Sequence, residues 1–286
     1  MKKHAWLVVT VFVLCAFTGS GWAFADTIKV DGSTTVLPIA QKVTEAYMKE
    51  SPSVNITVSG GGSGNGIKAL IDGTTDVATS SRFLKPEEIK LAMEKGVYPV
   101  PFAVAYDCIV PVVHPGNPVS DLSISQLKAI YMGEIKNWKD VGGPNLQIVV
   151  ISRDTSSGTY EVWEEKVMKM DRVYAGALLQ ASNGAVLQAV SKNKFAIGYL
   201  GIGYVDKSVK PLTVNGIQGN AETALSGSYP VSRALFMFTR GWPEGNTLSF
   251  VNFMLNPGKG QKYVREAGFV PLYSGYGESE TKNSAP

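Results

Sequence analysis

At 286 residues, with 27 basic against 24 acidic side chains and a formal net charge of +3, the chain lacks the strong positive bias with which nucleic-acid binders hold a polyanion. Its two histidines, His4 and His114, and two cysteines, Cys15 and Cys108, are too few for a clustered metal site or a disulfide framework. The length suffices for one large core or two lobes.

The first residues read as an export signal. Lys2, Lys3 and His4 precede an apolar run from Ala5 to Phe17, and Ala23-Phe24-Ala25 supplies a small-x-small cleavage pattern, so residues 1–25 are expected to be removed on export. The run is too short to span a bilayer, and no later stretch approaches the roughly 20 apolar residues needed. A soluble periplasmic protein is expected. Leu14 stands where a lipoprotein signal wants a small residue, so no lipid anchor is expected at Cys15. Without Lys2 and Lys3 the balance falls to 25 basic against 24 acidic residues. Cys108 then has no partner for an internal disulfide and reads as a small buried hydrophobe.

Thr27 to Val30 predicts a strand. Val36, Ile39, Ala40, Val43, Ala46 and Tyr47 then recur at helical spacing, with Thr34 or Thr35 placed to cap and Pro38 in the first turn. The pattern repeats with a strand over Val54–Val58, the loop Ser59-Gly60-Gly61-Gly62-Ser63-Gly64 and a helix carrying Ile67, Leu70 and Ile71 toward Gly73. A third strand over Asp76–Thr79 leads to Ser80-Ser81-Arg82 and a proline-first, acid-rich helix at Pro86-Glu87-Glu88. Strands alternating with helices predict a parallel α/β sheet, whose ligand crevice lies beyond the carboxyl ends of the strands. All three hydroxyl-rich loops belong to that edge.

Phe102 to Val113 is a long apolar stretch interrupted by Asp107 and Pro111, read as a first crossing between lobes that ends at His114-Pro115. A second α/β set follows, with a helix over Ile124–Met132 stopped at Gly133 and a strand over Gln147–Ser152. After these come the loop Arg153-Asp154-Thr155-Ser156-Ser157-Gly158-Thr159, a helix from Tyr160, the loop Ser182-Asn183-Gly184 and a strand over Phe195–Leu200. Pro211–Gly219 and the strand-like Ala234–Thr239 read as the return crossing, before helices over Leu248–Leu255 and Lys259–Glu266. Lobe 1 is thus expected from residues 26–105 plus about 230–275, and lobe 2 from about 106–229. A loose tail should follow over 276–286. Such lobes can close on a ligand like a hinge.

Helix starts offer unpaired N–H groups and a partial positive charge, and glycine lets an oxyanion approach the main chain. Five such starts in one chain suggest convergence on one small anion. Ser63 Oγ and the amides around it, Thr34 Oγ and the Thr35 amide are candidate donors. Gly60–Gly66 lacks the Gly-Lys-Ser/Thr that would make it a nucleotide phosphate loop. Arg153 is the strongest donor on offer, since a guanidinium can grip two oxygens at once. Asp154 either caps its loop or holds the arginine plane. Arg82 is either a second cationic contact or a partner of Glu87. Asp107, costly in an apolar stretch unless paired or functional, either binds an interlobe arginine or accepts a proton from the ligand. No catalytic Ser-His-Asp set can be drawn without leaning wholly on His114, so binding rather than catalysis is expected, with no metal and no cofactor.

These motifs resemble those of the periplasmic phosphate-binding components of high-affinity phosphate ABC importers, type II periplasmic binding proteins. The resemblance rests on Asp31-Gly-Ser-Thr-Thr-Val-Leu-Pro38, Ser59 to Gly64, Asp76-Val-Ala-Thr-Ser-Ser-Arg82, Tyr131-Met-Gly-Glu-Ile-Lys-Asn-Trp138, Arg153 to Thr159 and Ala196-Ile-Gly-Tyr199. It implies a two-lobed α/β fold whose ligand cleft lies between lobes joined by hinge strands. It implies phosphate contacts from Thr34, Thr35, Ser63, Arg153, Ser157, Gly158 and Thr159, with Arg82, Asp107, Asp154 and Asn183 as possible supporting residues. An inner-membrane permease with its ATPase would be the partners of a monomeric binding protein. Ser81 matches the position where the best-known branch of the family carries an aspartate that accepts the phosphate's own proton. Selectivity over sulfate would then rest on another acceptor, such as Asp107 or Asp154. The alternatives are another tetrahedral oxyanion (sulfate, molybdate or tungstate) or, in a different class, a phosphate-ester hydrolase.

Overall fold

In the computed structural model, which describes residues 27–273, the strand–loop–helix rhythm of the N-terminal third becomes β1 (Thr27–Gly32), α1 (Leu37–Glu50), β2 (Asn55–Val58), α2 (Ser63–Asp72), β3 (Val77–Ser80) and α3 (Pro86–Glu94). The expected leader with His4 and Cys15, and the tail, lie outside the described residues. Helix α1 buries Ile39, Ala40, Val43, Ala46 and Tyr47 on one face, as their spacing dictates. Helix α2 ends at Gly73, whose left-handed backbone (φ 74°) turns the chain out of the helix. Neither Thr34 nor Thr35 caps α1. Its N-cap position is Val36, without a side-chain bond, while Ser33 Oγ accepts from the amides of Thr35 (3.1 Å) and Val36 (3.4 Å). Both threonine hydroxyls are thereby left for other partners.

The chain continues through β4 (Val100–Val113), β5 (Asp121–Leu122), α4 (Ile124–Met132), β6 (Val149–Arg153), α5 (Gly158–Trp163), β7 (Leu178–Gln180), α6 (Asn183–Ser191), β8 (Ala196–Gly201), β9 (Lys210–Pro211), β10 (Thr213–Val214) and α7 (Ala221–Leu225). It closes with β11 (Ser232–Thr239), α8 (Gly245–Leu255) and α9 (Gly260–Glu266). Helix α5 starts at Gly158, two residues before the expected Tyr160, because Ser157 Oγ accepts from the Tyr160 amide and caps it.

The main sheet runs β2-β1-β3-β11-β4-β8-β6-β7, with β9 added beside β4. Strands β1, β2 and β3 are mutually parallel, as are β6, β7 and β8, while β11 and β4 are antiparallel to their neighbours in between. Two cores flank this junction. One gathers Ile28, Ile39, Val43, Val77, Val104, Leu235, Met237 and Phe250, and the other Ile109, Val112, Leu127, Trp138, Trp163, Tyr199 and Leu200. The fold is therefore α/β and two-lobed, with β4 and β11 passing between the lobes. The carboxyl ends of both parallel sets carry the hydroxyl-rich loops.

The expected return crossing is corrected in both parts. Ala234–Thr239 lies in β11 but already on the first-lobe side, where it pairs with β3 and sends Leu235 and Met237 into the first core, so the crossing runs just before it at Val231–Arg233. Residues 211–219 stay in the second lobe. There β9 pairs with β4, β10 pairs with β5, and Leu212 and Val214 join the second core. Asn215 and Gly216, with φ of 53° and 75°, reverse the chain locally, the left-handed pair that a tight hairpin turn requires.

Candidate oxyanion site between the lobes

The loops after β1, β2 and β3 meet the loops after β6 and β7 across the lobe junction. Thr35 Oγ1 lies 2.9 Å from Thr159 Oγ1, bringing the starts of α1 and α5 together although 124 positions separate them. Asn183 at the start of α6 donates from Nδ2 to Thr34 Oγ1 (3.1 Å) and Thr35 Oγ1 (2.9 Å), and its Oδ1 accepts from the Gly201 amide (3.1 Å). Ser63 and Ser81 share a hydroxyl contact of 3.2 Å, and Ser63 Oγ also accepts from the Ser81 amide at 3.1 Å. Gly158 closes the ring. A β-carbon there would stand 2.5 Å from Ser63 Oγ and 2.8 Å from Ser81 Oγ, so only glycine admits this approach. Thr34, Thr35, Ser63, Ser81, Gly158, Thr159 and Asn183 thus form one buried cluster. Ser157, also buried, serves as the cap of α5.

Arg153 ends β6, 1 % exposed. Its Nε donates to Gln180 O (3.0 Å) and Nη2 to Ala181 O (3.1 Å), so two backbone carbonyls after β7 hold the guanidinium plane. Nη1 is buried and has no hydrogen-bond partner among the described residues. The nearest carboxylate contact, Asp154 Oδ2, is 3.9 Å from Nη2. Burial lowers the Arg153 pKa, with Tyr199 and Asp154 opposing that shift and Arg233 reinforcing it. The Arg153 amide donates to Tyr199 Oη (3.2 Å), and the Tyr199 ring stacks on Trp163 of α5 at 4.3 Å. One aromatic stack therefore fixes both the arginine strand and the helix that presents Gly158 and Thr159.

Arg233 is the residue that the sequence reading missed. It lies on β11 in register with Asp107 on β4. Its Nε (3.0 Å) and Nη2 (2.7 Å) both donate to Asp107 Oδ2. Nη2 also reaches Thr159 Oγ1 (3.0 Å) and Thr35 Oγ1 (3.3 Å), and Nη1 reaches Ser81 O (3.2 Å). Asp107 Oδ1 accepts from the Ile202 amide at 2.9 Å. Burial raises the Asp107 pKa and lowers that of Arg233, and in each the partner's charge opposes the shift. A signal was present, because a carboxylate in an apolar strand demands a cation, and Arg233 interrupts the facing apolar strand. Tyr204, also unforeseen, donates from its hydroxyl to Thr34 O at 2.5 Å.

Two candidates stand apart from the hydroxyl cluster. Asp154 is a loop cap, its Oδ1 accepting from the Ser156 amide (2.9 Å) and hydroxyl. Arg82 pairs with Glu88 rather than Glu87, because its planar fork meets both Glu88 oxygens at 2.7 and 2.8 Å. Its Nε makes an ion pair with Glu161 of α5. Among the described residues no group of three or more His, Cys, Asp or Glu could hold a metal ion, and no helix is long and apolar enough to cross a membrane.

The site thus assembles two guanidiniums and a ring of small donors, with one buried carboxylate already taken up by Arg233. That combination favours a small, multiply charged anion. Comparison with known proteins agrees in family. The family model of the PBP superfamily domain matches residues 18–257. The phosphate-binding protein PstS of Staphylococcus saprophyticus is 34 % identical over 269 residues, covering 89 % of this chain and 83 % of its own. PstS of Borreliella burgdorferi is 32 % identical over 257 residues, covering 86 % and 90 %. Among solved structures, a protein from Clostridium perfringens described as a phosphate ABC transporter substrate-binding protein with bound phosphate superposes with a TM-score of 0.81. It is 33 % identical, covering 87 % of this chain and all of that one. The chain belongs to the PBP superfamily and, within it, to the family of the PstS phosphate-binding proteins.

Proposed function

We propose that this chain captures inorganic phosphate in the cleft between its lobes and delivers it to an ABC importer. The observation that carries this reading is Arg153 Nη1, a buried cationic donor without a hydrogen-bond partner among the described residues, in the same cleft as the Thr34, Thr35, Ser63, Ser81 and Thr159 hydroxyls. An isolated buried charge is costly, and an anion taking that donor removes the penalty. The names of the relatives supply the ion: phosphate-binding proteins at 32 and 34 % identity, and a structure with bound phosphate.

The role is binding and not chemistry. Thr34, Thr35, Ser63, Ser81, Arg153, Ser157, Gly158 and Thr159 replace the hydration shell of the ion, with charge-assisted bonds contributing about 1.5–3 kcal/mol each. Lobe 1, residues 26–105 with about 230–275, closes on lobe 2, residues about 106–229. The closed form is what an inner-membrane permease with its ATPase reads. The protein works as a monomer outside the cytoplasmic membrane after loss of its leader.

Calorimetric titration of the purified protein with phosphate, sulfate, molybdate and tungstate at one pH tests the reading. Micromolar or tighter phosphate binding is expected. Binding of sulfate without phosphate would replace the ligand, and turnover of a chromogenic phosphate ester would replace the class.

A further inference from the structure

The cleft has a second set of charges outside the hydroxyl cluster. Arg82 follows Ser81 directly, and Glu161 lies two residues beyond Thr159, in the first turn of α5. Arg82 Nε meets Glu161 across the lobes while its Nη1 and Nη2 hold Glu88 within its own lobe. Lys85 Nζ adds a second interlobe contact to Glu161 at 3.3 Å. The Arg82 and Glu161 side chains are only 8 and 11 % exposed. Beside them, the Gly64 amide donates to Ser156 O at 3.0 Å, and a β-carbon on Gly62 would stand 2.6 Å from Ser156 Oγ, so the two loops touch backbone to backbone.

We infer that Arg82 and Glu161 are positioning residues forming a latch between the lobes, which holds the start of α5 against Ser63 and Ser81 and sets how long a captured anion stays. The inference rests on the closing motion assigned above. A buried ion pair gives little net stability, because desolvation offsets the Coulomb gain, but it penalises any arrangement that leaves one partner unpaired. Only the docked lobes pair Glu161. In an opened cleft Arg82 keeps Glu88 within its own lobe, while Glu161 loses both of its cationic partners, Arg82 and Lys85. The latch is one residue from a ligand-facing serine on one side and two from a ligand-facing threonine on the other. Its closure therefore draws those donors together. Tuning of this kind acts on departure of the ligand more than on its arrival.

The test uses the full-length exported protein, with spin labels at exposed Lys90→Cys and Lys192→Cys, one on each lobe, and inorganic phosphate as the probe. Glu161→Gln is expected to speed phosphate dissociation at least about tenfold with association within about twofold, and to shift the interlobe distance distribution to longer values. Arg82→Lys, which keeps the charge but loses the fork, should fall between parent and Glu161→Gln. The double variant Arg82→Gln/Glu161→Gln should be no worse than the worse single, and Asp72→Asn, which breaks the ion pairs of Asp72 with Lys68 and Lys95 inside the first lobe, should behave as the parent. An unchanged dissociation rate and unchanged distances in Glu161→Gln, or simple addition of the two single effects, would overturn the latch. If the parent fails to bind phosphate, the proposed ligand is wrong, and the interlobe distances alone still decide the latch.

Discussion

Arg233 and Asp107 face each other in register on the two strands that link the lobes, at the level where both strands leave one core and enter the other. Above them stand Thr35 and Thr159, each from a different lobe and each bonded to Arg233 Nη2. The hinge and the floor of the cleft are thus the same pair of side chains. Removing only the carboxylate, as in Asp107→Ala, leaves Arg233 charged and unpaired in the interior, and a loss of about 3–5 kcal/mol in unfolding free energy is expected. The double change Asp107→Leu/Arg233→Met should recover much of that stability while binding remains impaired. Urea denaturation with calorimetry on the same samples separates the two effects, and a single variant as stable as the parent would contradict the pairing.

Arg153→Ala is expected to weaken phosphate binding by at least about 2 kcal/mol, roughly thirtyfold, with the fold retained. The guanidinium is held mainly by the carbonyls of Gln180 and Ala181, and its one carboxylate neighbour among the described residues, Asp154 at 3.9 Å, is partly exposed to water, so removing the guanidinium leaves no buried charge unpaired. An affinity within about twofold of the parent would place the arginine outside the site.

Binding should not fall as pH rises. Both oxygens of Asp107 already accept hydrogen bonds, Asp154 Oδ1 is turned to the Ser156 amide and hydroxyl in its own loop, and residue 81 is a serine. With a serine at position 81 and Asp107 engaged through both oxygens, neither position takes a proton from the ligand, and the dianion is expected to bind at least as well as the monoanion. Phosphate affinity is therefore expected to hold or increase between about pH 6 and about pH 8, and sulfate to compete measurably. A steep decline over that interval in calorimetry would reveal a proton acceptor that this arrangement does not provide.

Gly158→Ala should cost at least about tenfold in affinity, because the added carbon meets Ser63 and Ser81 from the opposite lobe. The fold of each lobe should persist, since helix α5 tolerates alanine well. Unimpaired binding in this variant would show that the lobes do not approach as closely as described.

Cys108 gives a pH test of a different kind. Burial pushes its thiol up to about 12, helped by the negative charge of Asp107. The unfolded thiol ionises near about 8.5, so the unfolded state loses its proton first. The stability tied to this group is complete below that pH and is lost as pH climbs toward 12. A thiol reagent at mildly alkaline pH is expected to leave the folded protein unmodified and to label it on denaturation. Fast labelling of the native protein would show that residue 108 is reached by solvent.

Local chemistry announced much of this molecule. The strand–loop–helix repeats were visible because Ile39, Val43 and Tyr47, or Ile67, Leu70 and Ile71, mark one face of a helix, and because Gly73 and Gly133 stop helices in a conformation that glycine tolerates. The hydroxyl loops stood out for the same local reason. What remained hidden depends on which strands become neighbours. Nothing near Arg233 in sequence reveals that β11 lies between β3 and β4, where a single arginine can reach Asp107, Ser81 and Thr159 at once. The Arg82–Glu161 contact was hidden likewise, since Glu87 and Glu88 offer equally close partners in sequence. The error at 211–219 arose because a short hairpin beside a hinge strand shares the apolar, proline-marked character of a crossing.

The place of β11 in the sheet also governs the order in which the chain can assemble. The second core is drawn almost wholly from residues 108–231, with Val270 added, whereas the first needs residues 232–239 to fill the gap between β3 and β4, with α8 and α9 to cover it. While the polypeptide emerges from its amino end, β3 and the early part of β4 remain open sticky borders until those late residues arrive. The lobe begun first is therefore the lobe finished last, and an interrupted chain ending before residue 232 would carry all of the second core but Val270 beside a split, aggregation-prone first lobe.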